Sequence, residues 1–403
     1  MRIAIINLLM RTVKSNGFIP QLDPSLPRGG VIADSPMAVL LADELAIAGH
    51  DVDIYAGSMF QVVRDSERPG KRASIIYSKE AMKWLFPPSF YPLAPSIIPR
   101  VRKGGYDVIL TSELIQPSTL AALAVRSGST KVFVWQELAS HPRFPASLYS
   151  KSIFAAFRMS EFKSVHKIVP RSVRARQFLL SEGVPEARIS RIIPNAVDCR
   201  TFTPEQPFDY FEKNGLGNPP RPRVLMVARI DKSKGIQTFL RAADIAVRKG
   251  YQGSFVLKVT GNGVSEVRKS AERLALVKKV IIIGEYLRRR DLANLMASCD
   301  VCAAPSSGDL LFLVPLEAMA SGLPVITTPQ THHSGTFSDG KAGFLVPPDN
   351  PEALAESIVY LGNDSKILGQ MAVAARDLAT REFSMEIVAQ RFITEFRAEG
   401  PQL

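Results

Sequence analysis

Cysteine is nearly absent from this chain of 403 residues: Cys199, Cys299 and Cys302 are the whole complement, an odd number that supports no disulfide framework. Cys299 and Cys302 form a C-x-x-C, but no second pair stands elsewhere. The pattern of a zinc ribbon is therefore missing, and small buried thiols are the expectation. Histidine is scarce as well, with five in all, and the adjacent His332 and His333 have no third ligand at a regular spacing. No metal site is expected. Long hydrophobic runs are also lacking: nothing reaches 18 apolar residues, and MRIAIINLLM is too short and too soon followed by Arg11 and Lys14 to be a secretory segment. The expected location is the cytoplasm, with peripheral attachment to the inner face of the membrane as an option. No helix-turn-helix, RNP-like or zinc pattern accompanies the positive charge, so nucleic acid is not an expected partner.

What the chain does have is length for two cores of about 200 residues each. It also has an uneven charge. Residues 1–200 hold 26 Lys and Arg against 16 Asp and Glu, a net of +10, whereas residues 201–403 hold 24 against 22, a net of +2. A basic first half suits an anionic partner, a lipid headgroup or a phosphorylated substrate, or it serves solubility alone.

Apolar strand-like runs alternate with helical patterns throughout. In the first half they are Arg2 to Leu9, Asp51 to Ala56, Ala73 to Tyr77, Tyr106 to Leu110, Lys131 to Trp135, Lys167 to Val169 and Ser190 to Ile193, with a helix from about Ser35 to Ala48. The second half repeats the scheme with Arg223 to Val227, Ser254 to Thr260, Lys279 to Gly284, Asp300 to Pro305, Pro324 to Thr328 and Gly343 to Val346. Continuous apolar strands separated by helices imply parallel sheets covered on both faces. The fold class is α/β, with two Rossmann-like, doubly wound domains facing an interdomain cleft. The expected domains are 1–198 and 199–383, with a helix at about 384–403 returning to the first; the proline-rich stretch from Phe202 to Arg223 reads as a surface linker.

The most informative stretch is Ala304 to Thr327, APSSGDLLFLVPLEAMASGLPVIT. Pro315 suits a first helical position, Gly322 a C-terminal cap and Pro324 the residue beyond it, so a short helix is bracketed between two strands. The loop entering that helix offers unpaired N–H groups to a phosphate, and the acids Asp309 and Glu317, eight positions apart, flank it. A nucleotide sugar has hydroxyls on either side of a diphosphate and would fit. Val227 to Gly235, VARIDKSKG, places Arg229 and Lys234 at a second strand-to-helix loop, where a guanidinium fork and an ammonium could clamp a diphosphate. Gly261 and Gly263, in TGNG, supply a tight turn after the next strand.

Taken in order and spacing, these pieces resemble the retaining, nucleotide-sugar-dependent glycosyltransferases of family four (glycosyl transferases group 1), which have the GT-B fold. The resemblance covers nearly the whole chain and rests on PSSGDLLFLVPLEAMASGLPVI, VARIDKSKG, RIIPNAVDCRTFTP, LADELAIAGHDVDIYAG after Gly29 and Gly30, and DGKAGFLVPPDNPEALAESI. It implies that Arg229 and Lys234 hold the donor diphosphate, that Glu317 bonds the ribose, and that Asp309 touches the donor sugar. Gly29 and Gly30 would approach the phosphates, and Gly261, Gly263, Tyr286, Leu310, Leu311, Phe312 and Leu313 would line the donor site. The implied reaction is retaining transfer from a UDP- or GDP-sugar to a lipid-linked, polysaccharide or glycoconjugate acceptor, without a metal or other cofactor, the cation pair taking the metal's place.

Three departures from the family pattern bear on the substrate. Asp309-Leu310-Leu311-Phe312 stands where the family has Glu-Gly-Phe-Gly, which withdraws the acid and adds side chains in the sugar pocket. Thr331-His332-His333-Ser334-Gly335 replaces a Gly-Gly-x-Pro-Glu loop. Gln136 falls where the first lobe usually carries a histidine; it can donate a hydrogen bond to a sugar hydroxyl but relays no proton, and Glu137 or His141 could take that role. These changes keep two alternatives open, a non-catalytic nucleotide-sugar-binding or partner subunit and a GT-B epimerase. Two segments of the first half, Lys83 to Lys103 with Trp84, Phe86, Phe90 and Tyr91, and the basic His141 to Arg176, suit an anionic membrane surface or else a core with a solvated face.

Overall fold

The computed structural model describes residues 1–7, 31–34, 36–58, 60–63, 70–79, 81, 93–142, 146–308, 313–329 and 340–398. They divide into two compact units. The first takes the described residues up to Asn195 together with those from Met385 onward; the second runs from Ala196 to Ser384.

The first unit holds β1 (Arg2–Ile6), β2 (Val31–Asp34), β3 (Asp51–Gly57), β4 (Phe60–Val63), β5 (Ser74–Ser78), β6 (Val108–Ser112), β7 (Lys131–Gln136) and β8 (Lys167–Pro170). Six of these form one sheet in the order β5-β3-β1-β6-β7-β8, and β2 pairs with β4 apart from it. Every pairing in the large sheet is parallel. The strands are apolar runs because helices such as Met37–Ile47, Pro117–Val125 and Val173–Ser181 cover them. Two apolar clusters fill the layers, one around Phe154, Phe162 and Ile168 and one around Ile6, Tyr55 and Ile109. The unit is completed by the helix Met385–Arg397. Its Phe392 meets the Trp135 ring edge-on at 5.1 Å and its Phe396 meets Phe133 at 5.0 Å. Lys131 Nζ donates to the Ala398 carbonyl at 2.9 Å, and Arg191 pairs with Glu395 at 2.9 Å, so a cation and an ion pair hold the last turn.

The second unit repeats the architecture with β9 (Arg223–Arg229), β10 (Ser254–Thr260), β11 (Val280–Ile283), β12 (Val301–Ala304), β13 (Val325–Thr327) and β14 (Gly343–Leu345). Their order is β11-β10-β9-β12-β13-β14, again all parallel. The sheet is sandwiched between one apolar layer built on Phe239, Phe255 and Leu354 and another built on Phe211, Met296 and Met319.

Two expectations fail, one outright and one in part, for identifiable reasons. Ser190 to Ile193 is not a strand, although the Ser190 N–H reaches the Ile168 carbonyl at 2.9 Å and the Ile193 N–H reaches Pro170 at 3.0 Å. A parallel ladder bonds every second residue on one side, and donors three apart break that period. The stretch from Phe202 to Arg223 runs over the surface only in part, Glu212 to Asn218 being exposed, and its ends are built into the second unit. Phe202, Tyr210, Phe211 and Arg223 are buried. Arg223 pairs with Asp209 at 2.6 Å, donates to Asn218 Oδ1 at 2.6 Å and to the Pro219 carbonyl at 2.9 Å, and lies 4.6 Å over the Phe211 ring. A charge can be buried when its donors are satisfied in this way. Among the described residues no helix is long and apolar enough to cross a membrane.

Candidate functional site

Strands β9, β12 and β13 lie side by side and end in three loops that are stitched to one another. After β9, the Asp231 carboxylate accepts from the Ser233 N–H at 2.8 Å and the Ser233 hydroxyl at 2.6 Å, which holds its carboxyl below the usual range. Gly235 then turns the chain with φ +76°, and a Cβ there would stand 2.1 Å from the Pro305 oxygen. Only glycine allows that approach. From the loop after β12, the Ser306 hydroxyl and the Ser307 N–H both donate to the Ser233 carbonyl at 2.9 Å. From β13 and its exit, the Thr327 hydroxyl donates to Ala304 at 3.1 Å and Thr328 to Ser306 at 2.5 Å.

This frame carries the two cations singled out from the sequence. Arg229 is the last residue of β9 and is exposed; Lys234 closes the single turn Lys232–Lys234 and is half-buried. The helix Ile236–Arg248 starts directly after Gly235, so its N-terminal amides and dipole face the same loop. On the next strand, Gly261 and Gly263 take φ +113° and +103°, and Gly263 opens the helix Val264–Arg273. Tyr286 is 44% exposed beyond β11. Leu313 begins the helix Leu313–Ala320, two residues before the start that Pro315 suggested.

Glu317 is buried on that helix and pairs with Arg289 at 3.2 Å, whose guanidinium lies 4.8 Å from the Phe202 ring centre. Sequence reasoning missed Arg289, since nothing in Arg288-Arg289-Arg290 tells which of the three folds back onto the acid. Cys302 sits within electrostatic reach of Glu317; burial first and that charge second push its thiol up to about 12, and burial raises Cys299 well above its ordinary value. Both thiols are core groups. Among the described residues no three His, Cys, Asp or Glu gather as a cation site.

In the first unit, Gln136 ends β7 fully buried. Its Oε1 accepts from the Leu114 N–H at 3.0 Å and its Nε2 donates to the Leu138 carbonyl at 3.4 Å, so the amide ties β7 to β6. Glu137 pairs with Arg171 at 2.9 Å. His141 bonds Ser150 at 2.8 Å and Glu182 at 3.1 Å between the rings of Phe154 and Phe178, the setting of a structural histidine. Glu113, which sequence reasoning passed over, accepts the amides of both Glu137 and Leu138. Gly29, Gly30, Asp309, Leu310, Leu311, Phe312, His332, His333 and the aromatic run Trp84 to Tyr91 lie outside the described residues.

The glycosyl transferases group 1 profile matches residues 221–364, and the glycosyltransferase family 4 profile matches residues 37–201. The chain belongs to glycosyltransferase family four. This family-four glycosyltransferase is 24% identical over 262 residues to the alpha-D-kanosaminyltransferase of Streptomyces kanamyceticus, covering 64% of this chain and 67% of that protein. It is 31% identical over 209 residues to the phosphatidyl-myo-inositol mannosyltransferase of Mycobacterium tuberculosis, covering 50% of this chain and 52% of that one. The alignments thus span from about half to two thirds of those relatives' length. Over the whole chain, it shares its fold with the Anabaena HepE protein solved with UDP-glucose: TM-score 0.68, 16% identity, 98% of this chain and 99% of that one. Two parallel six-stranded sheets with flanking helices are the GT-B fold of this family-four glycosyltransferase.

Proposed function

We infer that the chain moves a sugar from a nucleoside diphosphate, UDP or GDP, to an acceptor hydroxyl with retention at the anomeric carbon. The observation that carries this reading is the stitched mouth of the second sheet, where Arg229 and Lys234 stand on a loop fixed by Gly235 and Ser306 beside a helix N-terminus. As the sugar–phosphate bond breaks, negative charge grows on the departing diphosphate. A guanidinium fork and an ammonium carried on a loop that is fixed before the reaction stabilise that charge. The new bond forms on the face the nucleotide leaves, and the acceptor's proton passes to a phosphate oxygen of the leaving group, so the protein supplies neither a nucleophile nor a metal. Glu317 receives a ribose hydroxyl and Asp309 meets the sugar. That HepE was solved with UDP-glucose and that a mannosyltransferase is named among the relatives supports a hexose donor.

The acceptor in this reading is a lipid-linked sugar or glycoconjugate bound by the first unit at an anionic membrane surface. What supports it is one face of the helix Ala146–Met159, a segment without an acid. Leu148 and Met159 are 61% and 89% exposed there beside the exposed Lys151 and Arg158, while Phe154 and Phe157 turn into the core. A thermal-shift panel of nucleoside diphosphates and their sugars tests the donor, since a ligand that binds only the folded state raises its melting temperature. Turnover of the donor so found falls by about 10² to 10³ in Arg229→Ala and Lys234→Ala. A chain that melts unchanged with every donor refutes the reading, and failure to sediment with anionic vesicles at low salt refutes the membrane part alone.

A further inference from the structure

The exits of β6 and β7 hold an acid that the transfer scheme does not use. Glu113 follows β6 directly and adopts a left-handed backbone, φ 59°, which a non-glycine residue keeps only where its surroundings over-determine it. Here they do. One oxygen of its carboxylate accepts the Glu137 N–H at 2.7 Å and the other accepts the Leu138 N–H at 3.2 Å. Its own carbonyl accepts the Thr119 hydroxyl at 2.8 Å and the Gln116 N–H at 3.2 Å. Glu137, held this way, gives its carboxylate to Arg171 at 2.9 Å, and Arg171 continues to Asn195 Oδ1 at 3.1 Å and over the Trp135 ring at 3.9 Å. Ligands of open parallel sheets gather beyond this edge of the strands.

We propose that Glu113 is a positioning residue: as a carboxylate it fixes the chain leaving β7, and through it sets where the Glu137 carboxylate and the Arg171 guanidinium stand toward the reacting hydroxyl. The reacting hydroxyl belongs to the glycosyl-transfer reading and rests on it; the brace does not. A carboxylate can receive both amides, whereas a carboxylic acid keeps one good acceptor and turns an O–H toward the other N–H. Burial, and then the charge of Glu137, push the Glu113 carboxyl up to about 7 against the pull of Arg171 and the two amides. Glu137 and Arg171 are the charged groups that face it. The brace is therefore complete above neutrality and weakened below it.

Two measurements test this on the full chain. The first needs no ligand. The chain has two tryptophans, so Trp84→Phe leaves Trp135, stacked on Arg171, as the single reporter. Its fluorescence is expected to titrate with a midpoint near 7, and to lose that transition when Glu113→Gln is added while keeping it with the surface change Glu186→Gln. A flat titration in the parent, or the same transition in Glu113→Gln, overturns the proposal. The second is hydrolysis of UDP-glucose or GDP-mannose, with water as acceptor, between pH 5.5 and 8.5. The rate is expected to rise through pH 7, and Glu113→Gln to lower it on the order of a hundredfold at pH 8 but only about tenfold at pH 6. Equal loss at both pH values overturns the positioning role. A wild-type chain that turns over no donor defeats the transfer reading, and the fluorescence then still decides the brace.

Discussion

The two sheets end in loops built on opposite principles. At the mouth of β9, β12 and β13 the loops are joined by small residues: Ser233, Gly235, Ser306 and Thr328 bond through hydroxyls and main chain, and Arg229 and Lys234 stand on the same loop. At the mouth of β6, β7 and β8 the long polar side chains are themselves the frame: Gln136, Glu113, Glu137 and Arg171 spend their hydrogen bonds on neighbouring strands. Small residues let one backbone segment come close to the next. Long ones give the edge its shape at the cost of having fewer groups to offer.

That contrast can be broken at its strongest joint first. Gly235→Ala forces a Cβ against the Pro305 oxygen at a positive φ, and a loss of about 4 kcal/mol in chemical denaturation is expected. Arg171→Met strips Glu137 of its partner in a mostly buried pair, and about 3 kcal/mol should be lost, with the Glu113 midpoint moving upward because the nearby cation is gone. Glu113→Gln should act with a defined sign. Its carboxyl pKa is raised on folding, so between about 4.5 and 7 the native state binds more protons than the unfolded chain, and wild-type stability falls as pH rises through that window. The variant lacks this fall, so relative to wild type it should gain about 3 kcal/mol between pH 4.5 and pH 8, read as a few degrees of melting temperature. Ser306→Ala removes one hydroxyl bond from the other frame while the Ser307 N–H still holds Ser233, and about 1 kcal/mol is expected.

The second mouth was the more legible of the two in sequence. Gly235, Gly322 and Pro324 punctuate the chain where turns require them, and Arg229 and Lys234 stand at a strand exit that a hydrophobic run announces. The strands of both sheets were equally readable, because parallel strands covered on both faces are unbroken apolar runs. The bracing residues were not. Glu113 sits in Thr-Ser-Glu-Leu, which has no spacing of its own, and its partners Glu137 and Leu138 are 24 and 25 residues away. Gln136 could be placed at a strand end but not assigned its bonds, and Arg223 looked like the end of a linker until Asp209 and Phe211 closed around it. Such pairings follow from which strands become neighbours, and no local pattern encodes that.

The last helix has a consequence for how the protein is made. Phe392 and Phe396 complete the layer against Trp135 and Phe133, yet the ribosome delivers them only after every residue of the second unit. Domains usually fold in the order of synthesis. Here the second unit has its whole sequence available while the first still lacks a wall, so the half of the protein translated first is the half that finishes last, and a chain released before Phe392 would leave Trp135 and Phe133 uncovered for chaperones to find.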